Sequence, residues 1–308
     1  MNRQCQSFES LGELEENWAR VAMLLAGHSH GTVRKCLTHT LSAQRWWAEG
    51  GRPAGSLRSS SLWKQVEEEQ ARCLALDIRV LSPESPEWPA SINELSDPPM
   101  VLWSRGIPIT QLPGTRLGLV GARNIASYGR EVTTLFAHRW GELGGVVVSG
   151  GARGVDAVAH KAALEGGGST VVVMGTGMSK PYPKENRVLF DEVLERGCWI
   201  SERPTMSAVH PQLFPRRNRL IAALSQGILV TQAGKRSGAL HTVRYASKLG
   251  RTVFSVPAPL GEVPFEGSNE LLVRGIPAIL DPDSLWQGIS TGGNLGHNPS
   301  RSLPFRRA

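Results

Sequence analysis

Arg216, Arg217, Asn218 and Arg219 stand side by side in FPRRNRLIAAL (214–224), directly before an apolar run with helical spacing. The first turn of a helix carries free N–H groups and a partial positive charge, so cations placed there oppose the dipole. An anion held jointly by guanidiniums and backbone donors would offset that cost. Further cations sit in glycine-rich stretches: Arg123 in GARN, Arg153 in SGGARG (149–154), Lys180 and Lys184 in GTGMSKPYPKEN (175–186), and Lys235 and Arg236 in AGKRSG (233–238). Gly150, Gly151, Gly154, Gly175 and Gly177 let backbone N–H groups approach phosphate oxygens, and Ser149, Ser201 and Ser237 add hydroxyls. The chemistry these types suit is phosphate binding.

Covalent chemistry finds less support. Asp156 and His160 are four residues apart on one helical face, but no third partner for a triad can be picked out, and packing with capping suits them better. His241, four residues after Ser237, suits capping or anion contact, and Cys198 a buried strand start. Glu202 is the carboxylate placed among the cations, where it would orient an arginine. The two histidines of HSHG (28–31) lack a third ligand and read as a polar turn. No metal, cofactor or enzymatic step is expected.

The elements that position these residues alternate. From LGLVGAR (117–123) onward, apolar strands VVVS, TVVVM, CWIS, GILVTQ and TVFSV alternate with amphipathic helices. Such alternation predicts right-handed βαβ units and a largely parallel, Rossmann-like α/β sheet with helices on both faces. Every strand-to-helix loop of a parallel sheet emerges at one edge. The cationic loops are all of that kind, whereas the helix-to-strand connections (LGG, EGGGS, ERG, SQG, LGR) are short glycine stops. The arginines therefore belong to one positive crest. The strand order is not readable.

Before residue 80 the chain is rich in Trp, Leu and Glu at helical spacing, predicting a small helical domain (1–80) with helices near 10–26, 32–48 and 60–76. Pro83, Pro86, Pro89, Pro98 and Pro99 make residues 81–110 an ordered connector that excludes continuous helix or central strand. Residues 111–288 form the sheet domain, closed by the apolar run 269–286, and 289–308 a basic, disordered tail. The 34 Lys+Arg exceed the 27 Asp+Glu by seven, which suits a polyanion partner. Four scattered cysteines (Cys5, Cys36, Cys73, Cys198) read as reduced thiols of a cytoplasmic protein. Glutamates in the first twenty residues disfavour a signal peptide, and no apolar run reaches membrane-spanning length.

SGGARGVDAVAH, YPKEN, SERP, FPRRNRLIAALS, RSGALHT and GRTVFSVP, in that order, resemble the DprA/Smf family of DNA-processing proteins, as do LVGAR and DPPMVLWSRG before them. The resemblance covers roughly residues 80–280. It implies an extended Rossmann-like domain that binds single-stranded DNA and loads the RecA recombinase during natural transformation, acting as a homodimer. The helical region would correspond to the family's sterile-alpha-motif-like domain. By motif, Arg123, the turn from Ser149 to Arg153 with Gly154, the segment containing Gly175, Gly177, Lys180, Tyr182, Lys184 and Asn186, the Arg216–Arg219 run, and Lys235, Arg236 and Ser237 would form the DNA site. Tyr182 and Phe214 are the aromatic candidates for base contact, Phe214 reading more readily as core. The chain departs from the family with Gln232 in place of a glutamate, Ala258 in place of a glycine and Gly151 in place of a leucine, the last expected to loosen packing beneath its loop. The alternative is a related Rossmann-like protein that binds small nucleotides or cleaves nucleoside phosphates. Such enzymes carry a catalytic glutamate in a P-G-G-x-G-T-x-x-E string, and QAGKRSGALHT has no such acid. A generic basic interaction protein would not discriminate single from double strands.

Overall fold

The computed structural model describes residues 9–290. Four helices come first: α1 (Glu16–Leu25), α2 (His30–Thr40), α3 (Ala43–Ala48) and α4 (Ser59–Ala75). The helix expected over 32–48 is two, because Leu41 takes a left-handed conformation (φ 65°) and Ser42 caps a new start by accepting from the Arg45 N–H. Apolar faces of the four helices meet around Ala22, Met23, Trp47, Leu62 and Val66.

The sheet has eight strands: β1 (Ile78–Leu81), β2 (Leu102–Gly106), β3 (Arg116–Gly121), β4 (Val146–Ser149), β5 (Ser169–Met174), β6 (Cys198–Ser201), β7 (Gly227–Gln232) and β8 (Thr252–Ser255). Their order is β1-β2-β6-β5-β4-β3-β7-β8. Strands β3 to β8 run parallel, while β1 and β2 add an antiparallel extension through β2–β6 pairing. The exclusion of a central strand from 81–110 is thereby corrected. β2 is interior to the sheet; Pro83, Pro86, Pro89, Pro98 and Pro99 fall before it and Pro108 after it, leaving 102–106 free to donate to both neighbours.

Helices α5 (Ser127–Glu142), α6 (Val155–Glu165), α7 (Arg187–Arg196), α8 (Leu213–Leu224) and α9 (Ala239–Lys248) connect the parallel strands. Alternate strand residues face opposite layers: Val146 and Val148 meet Leu220, Ile221 and Val243, while Val147 meets Phe136 and Ala159. The apolar run 269–286 becomes α10 (Glu266–Val273) and α11 (Pro282–Ser290), with a single bridge from Ala278 to Ser255 beside β8. Ile289 and Ser290 end α11, and the rest of the expected tail lies outside the described residues, as does Cys5. Cys36, Cys73 and Cys198 are free thiols. Among the described residues no helix is long and apolar enough to cross a membrane.

Candidate nucleic-acid interface

From β3 the chain steps to β4, β5 and β6 on one side, then crosses to β7 on the other. Loops leaving β3 and β7 therefore diverge, and in open α/β sheets that reversal point is where a crevice forms. Here it is a cleft of ≈ 560 Å³ lined by Arg123, Asn124, Phe214, Asn218, Ser237 and Gly238, among others. Its aromatic wall is Phe214, half-buried rather than in the core. The Arg123 guanidinium lies 5.2 Å from the Phe214 ring, and Tyr182 stands 5.7 Å from it at a 48° tilt.

The turn after β4 is built from within. Gly151 (φ 69°) and Gly154 (φ 80°) occupy the left-handed region. A Cβ on Gly154 would sit 2.3 Å from the Ala122 carbonyl oxygen, so glycine lets this turn touch the loop after β3. A Cβ on Gly151 would sit 2.7 Å from Phe190 and 2.9 Å from Val172. The looser packing expected beneath Gly151 is thus corrected: neighbours already fill that space. Asp156 accepts from the Gly150 and Ala152 N–H groups (both 3.2 Å), and Asn186 donates to the Gly151 and Ala152 carbonyls. Ser149 is buried and its hydroxyl donates to the Leu119 carbonyl, so it is withdrawn from any ligand.

Helix α8 begins at Leu213, one turn before the arginines, with Pro215 at its third position, where a missing N–H costs no helical bond. The conflict with the dipole inferred from the sequence is correspondingly smaller. Two of the three arginines turn inward. Arg217 is buried, donating to the Gly150 carbonyl (2.6 Å), the Val173 carbonyl and Asn218 Oδ1. Burial lowers its pKa to about 10, against the pull of Asp156. Arg219 is buried between Glu202 (2.5 Å) and Asp97 (3.3 Å). The free phosphate-binding cations expected at these two positions are corrected accordingly: both guanidiniums bond groups of the protein, although Arg217 borders the cleft. Glu202 orients an arginine, as the sequence suggested.

Arg123, Lys180, Lys184 and Arg236 are exposed, and with half-buried Arg216 they have no carboxylate within ion-pair distance among the described residues. Arg153 and Lys235 are exposed but lie near Glu185 (3.7 Å) and Glu266 (3.5 Å). Gly175 and Gly177 are buried against Phe214 and the Pro204–Thr205 backbone. Ser237 accepts from the Ala239 N–H, and Asn218 donates to the Gly238 carbonyl.

Arg203 and Asn124 escaped the sequence reading, whereas Gln232 was noticed there as a departure from the family. Arg203, half-buried, adds a cation whose pKa burial lowers. Asn124 lines the cleft. Gln232 is fully buried and holds the loop after β3 from below, accepting from the Ala126 N–H (2.9 Å) and donating to the Asn124 carbonyl (3.0 Å). An ionised glutamate cannot make the second bond. Asp156 and His160 do not pair. Burial pushes the Asp156 carboxyl up, with Arg217 opposing, while His160 bonds Thr170 (2.6 Å) and burial drives its pKa to about 3. Among the described residues no group of three or more His, Cys, Asp and Glu could hold a metal.

Comparison with known proteins gives the same family as the motifs. A model of DNA recombination-mediator protein A matches residues 79–290. Protein Smf of Escherichia coli K12 is 33% identical over 281 residues, covering 90% of this chain and 72% of Smf. The X-ray structure of DNA processing protein A (DprA) from Streptococcus pneumoniae is similar with a TM-score of 0.75 and 26% identity, covering 89% of this chain and 98% of that one. DNA processing protein A from Helicobacter pylori, solved to give insight into its single-stranded DNA binding mode, is similar with a TM-score of 0.64 and 27% identity, covering 70% and 97%. With the family model matching residues 79–290, well over half of the chain, and Smf aligned over most of it, this protein belongs to the DprA/Smf family of DNA recombination mediators.

Proposed function

We propose that this protein binds single-stranded DNA along the crest and hands it to a RecA-type recombinase, without a covalent step, as a cytoplasmic homodimer serving natural transformation. The observation that carries the reading is the switch-point edge: its cleft is lined by Arg123 and Phe214, Tyr182 stands beside Phe214, and the loops of the same edge carry further cations without carboxylate partners among the described residues. Cations neutralise phosphates, and aromatic faces take unstacked bases, which a duplex does not offer. Arg123, Arg153, Lys180, Lys184, Arg216, Lys235 and Arg236 are the proposed phosphate partners, with Tyr182 and Phe214 for bases. The single-stranded DNA binding mode named for the Helicobacter pylori relative supports the choice of single strands as the ligand. The helical region, the connector and the sheet are proposed as successive units of this device.

Pairing two crests would lengthen the grip on a strand by effective concentration. Light scattering at micromolar concentration should give twice the 33.4 kDa chain mass. Recombinase assembly on a single strand coated with single-strand-binding protein should accelerate with the wild type and not with Arg123→Ala. A monomer that leaves assembly unaffected would sink the loading role, and release of free base from a nucleoside monophosphate would favour the hydrolytic alternative.

A further inference from the structure

The helical layer touches the crest through two buried polar contacts. Glu69 of α4, 1% exposed, accepts from the Thr205 N–H (2.6 Å) and the Thr205 hydroxyl (2.7 Å). Arg72 closes the arrangement, donating to Thr205 Oγ1 and to Glu69 (both 3.1 Å). At the other contact His30, the first residue of α2, accepts at Nδ1 from the Met100 N–H (3.1 Å) and so donates from Nε2 to the Glu202 carbonyl (3.0 Å). Both contacts fall on one segment, the loop from β6 to α8.

That segment in turn carries the loop bearing Lys180, Tyr182 and Lys184. The Ser179 N–H donates to the Thr205 carbonyl (3.0 Å) and the Gly177 N–H to the Ser207 carbonyl (3.1 Å). Gly177 packs so closely that a Cβ would lie 2.2 Å from the Thr205 carbonyl oxygen. Ser201 donates to the Thr176 carbonyl (2.9 Å), and the Glu202 side chain holds Arg219 of α8. A displacement of residues 202–207 would therefore disturb both the loop bearing Tyr182 and the middle of α8 at Arg219.

We propose that the helical layer is a positioning device for the DNA site, with Glu69, Thr205 and His30 as its positioning residues, so that whatever occupies or shifts α2 and α4 alters the grip on single strands. The inference rests on the single-strand reading above. A carboxylate desolvated to this degree and answered by three donors is costly to misalign, which makes the latch stiff. A surface helix pair merely resting on the sheet would need no such contact.

Two substitutions at one position separate positioning from packing. Thr205→Val keeps the shape and loses the hydroxyl; Thr205→Ser keeps the hydroxyl and loses a methyl. Positioning predicts that Thr205→Val exchanges the Gly177 and Ser179 amide hydrogens faster and binds a short single strand between about twofold and tenfold more weakly, the worth of one hydrogen bond. Thr205→Ser should match the wild type in both readouts although it loses more packing. His30→Leu, at the second contact, gives the same pair of readouts if Thr205→Val does not fold. Wild-type exchange in the folded hydroxyl-deleted or His30 variant, or a defect confined to Thr205→Ser, would overturn the latch. Faster exchange in a chain whose wild type binds no single strand would leave the latch standing and refute the function instead.

Discussion

Arg217→Ala and Arg123→Ala should separate completely, though both residues belong to the same run of basic loops. Arg217 delivers hydrogen bonds to two buried carbonyls, those of Gly150 and Val173, and to Asn218. Bonds from a charged donor contribute about 1.5–3 kcal/mol each, and removing one partner of a buried polar arrangement typically costs about 3–5 kcal/mol in total. The penalty of burying the guanidinium, visible in its pKa of about 10, is recovered on deletion and keeps the sum at that level rather than higher. Arg123 is exposed, and losing its contact with Phe214 costs no more than about 1 kcal/mol. Equilibrium urea unfolding should show a lower midpoint with unchanged slope for Arg217→Ala and almost no shift for Arg123→Ala. Single-strand binding should reverse the pattern for Arg123→Ala, which loses affinity and about 0.7 of the salt slope if its contact is to one phosphate. Arg217→Lys should not rescue stability, since a single ammonium does not reproduce the planar fork. An Arg217→Ala protein as stable as the wild type but defective in DNA binding would refute the assignment of this residue to the interior.

Gln232→Glu should destabilise the loop after β3 at pH 8, where the carboxylate cannot donate to the Asn124 carbonyl, and the deficit relative to the wild type should shrink as the pH falls and the acid protonates; a pH-independent deficit would contradict the two-bond role. His160 has a folded pKa near 3 against an ordinary value of 6.5, so its contribution is complete above about pH 6.5 and declines as pH falls toward 3, by up to about 1.4 kcal/mol per unit. Wild-type stability should thus fall more steeply than that of His160→Leu between pH 6.5 and 4, measured by urea midpoints, and parallel curves would refute this. Gly151→Leu, which restores the residue usual in the family, should cost at least about 1–2 kcal/mol from the left-handed backbone alone, before the overlap with Phe190 and Val172 is counted; an unfolding midpoint equal to the wild type's would show that the turn relaxes freely.

The alternation of strands and helices was legible because a strand covered on both faces must be apolar throughout, as in VVVS and GILVTQ, and an amphipathic helix follows each. The placing of the cationic loops at one edge follows from that alternation alone. Strand order was not legible, since it depends on which faces meet after collapse. β2 was hidden because prolines were weighed over the whole connector, while the five proline-free residues from Leu102 to Gly106 were enough for a strand. The inward turn of Arg217 did have a signal: Leu220, Ile221 and Leu224 form the buried stripe of α8, and stepping back one turn lands on residue 217. Phe214 looked like core from its type and is instead the wall of the cleft. The Glu69–Thr205 contact joins residues 136 apart and left no local trace.

The central claim is that the crest reads single strands through unpaired cations and an aromatic pair. Fluorescence anisotropy with matched single- and double-stranded oligonucleotides across a salt series tests it most directly. The account predicts tighter binding to the single strand, with log K falling linearly against log salt at about 0.7 per phosphate neutralised. Equal affinity for the two forms, or binding that ignores salt, would contradict it.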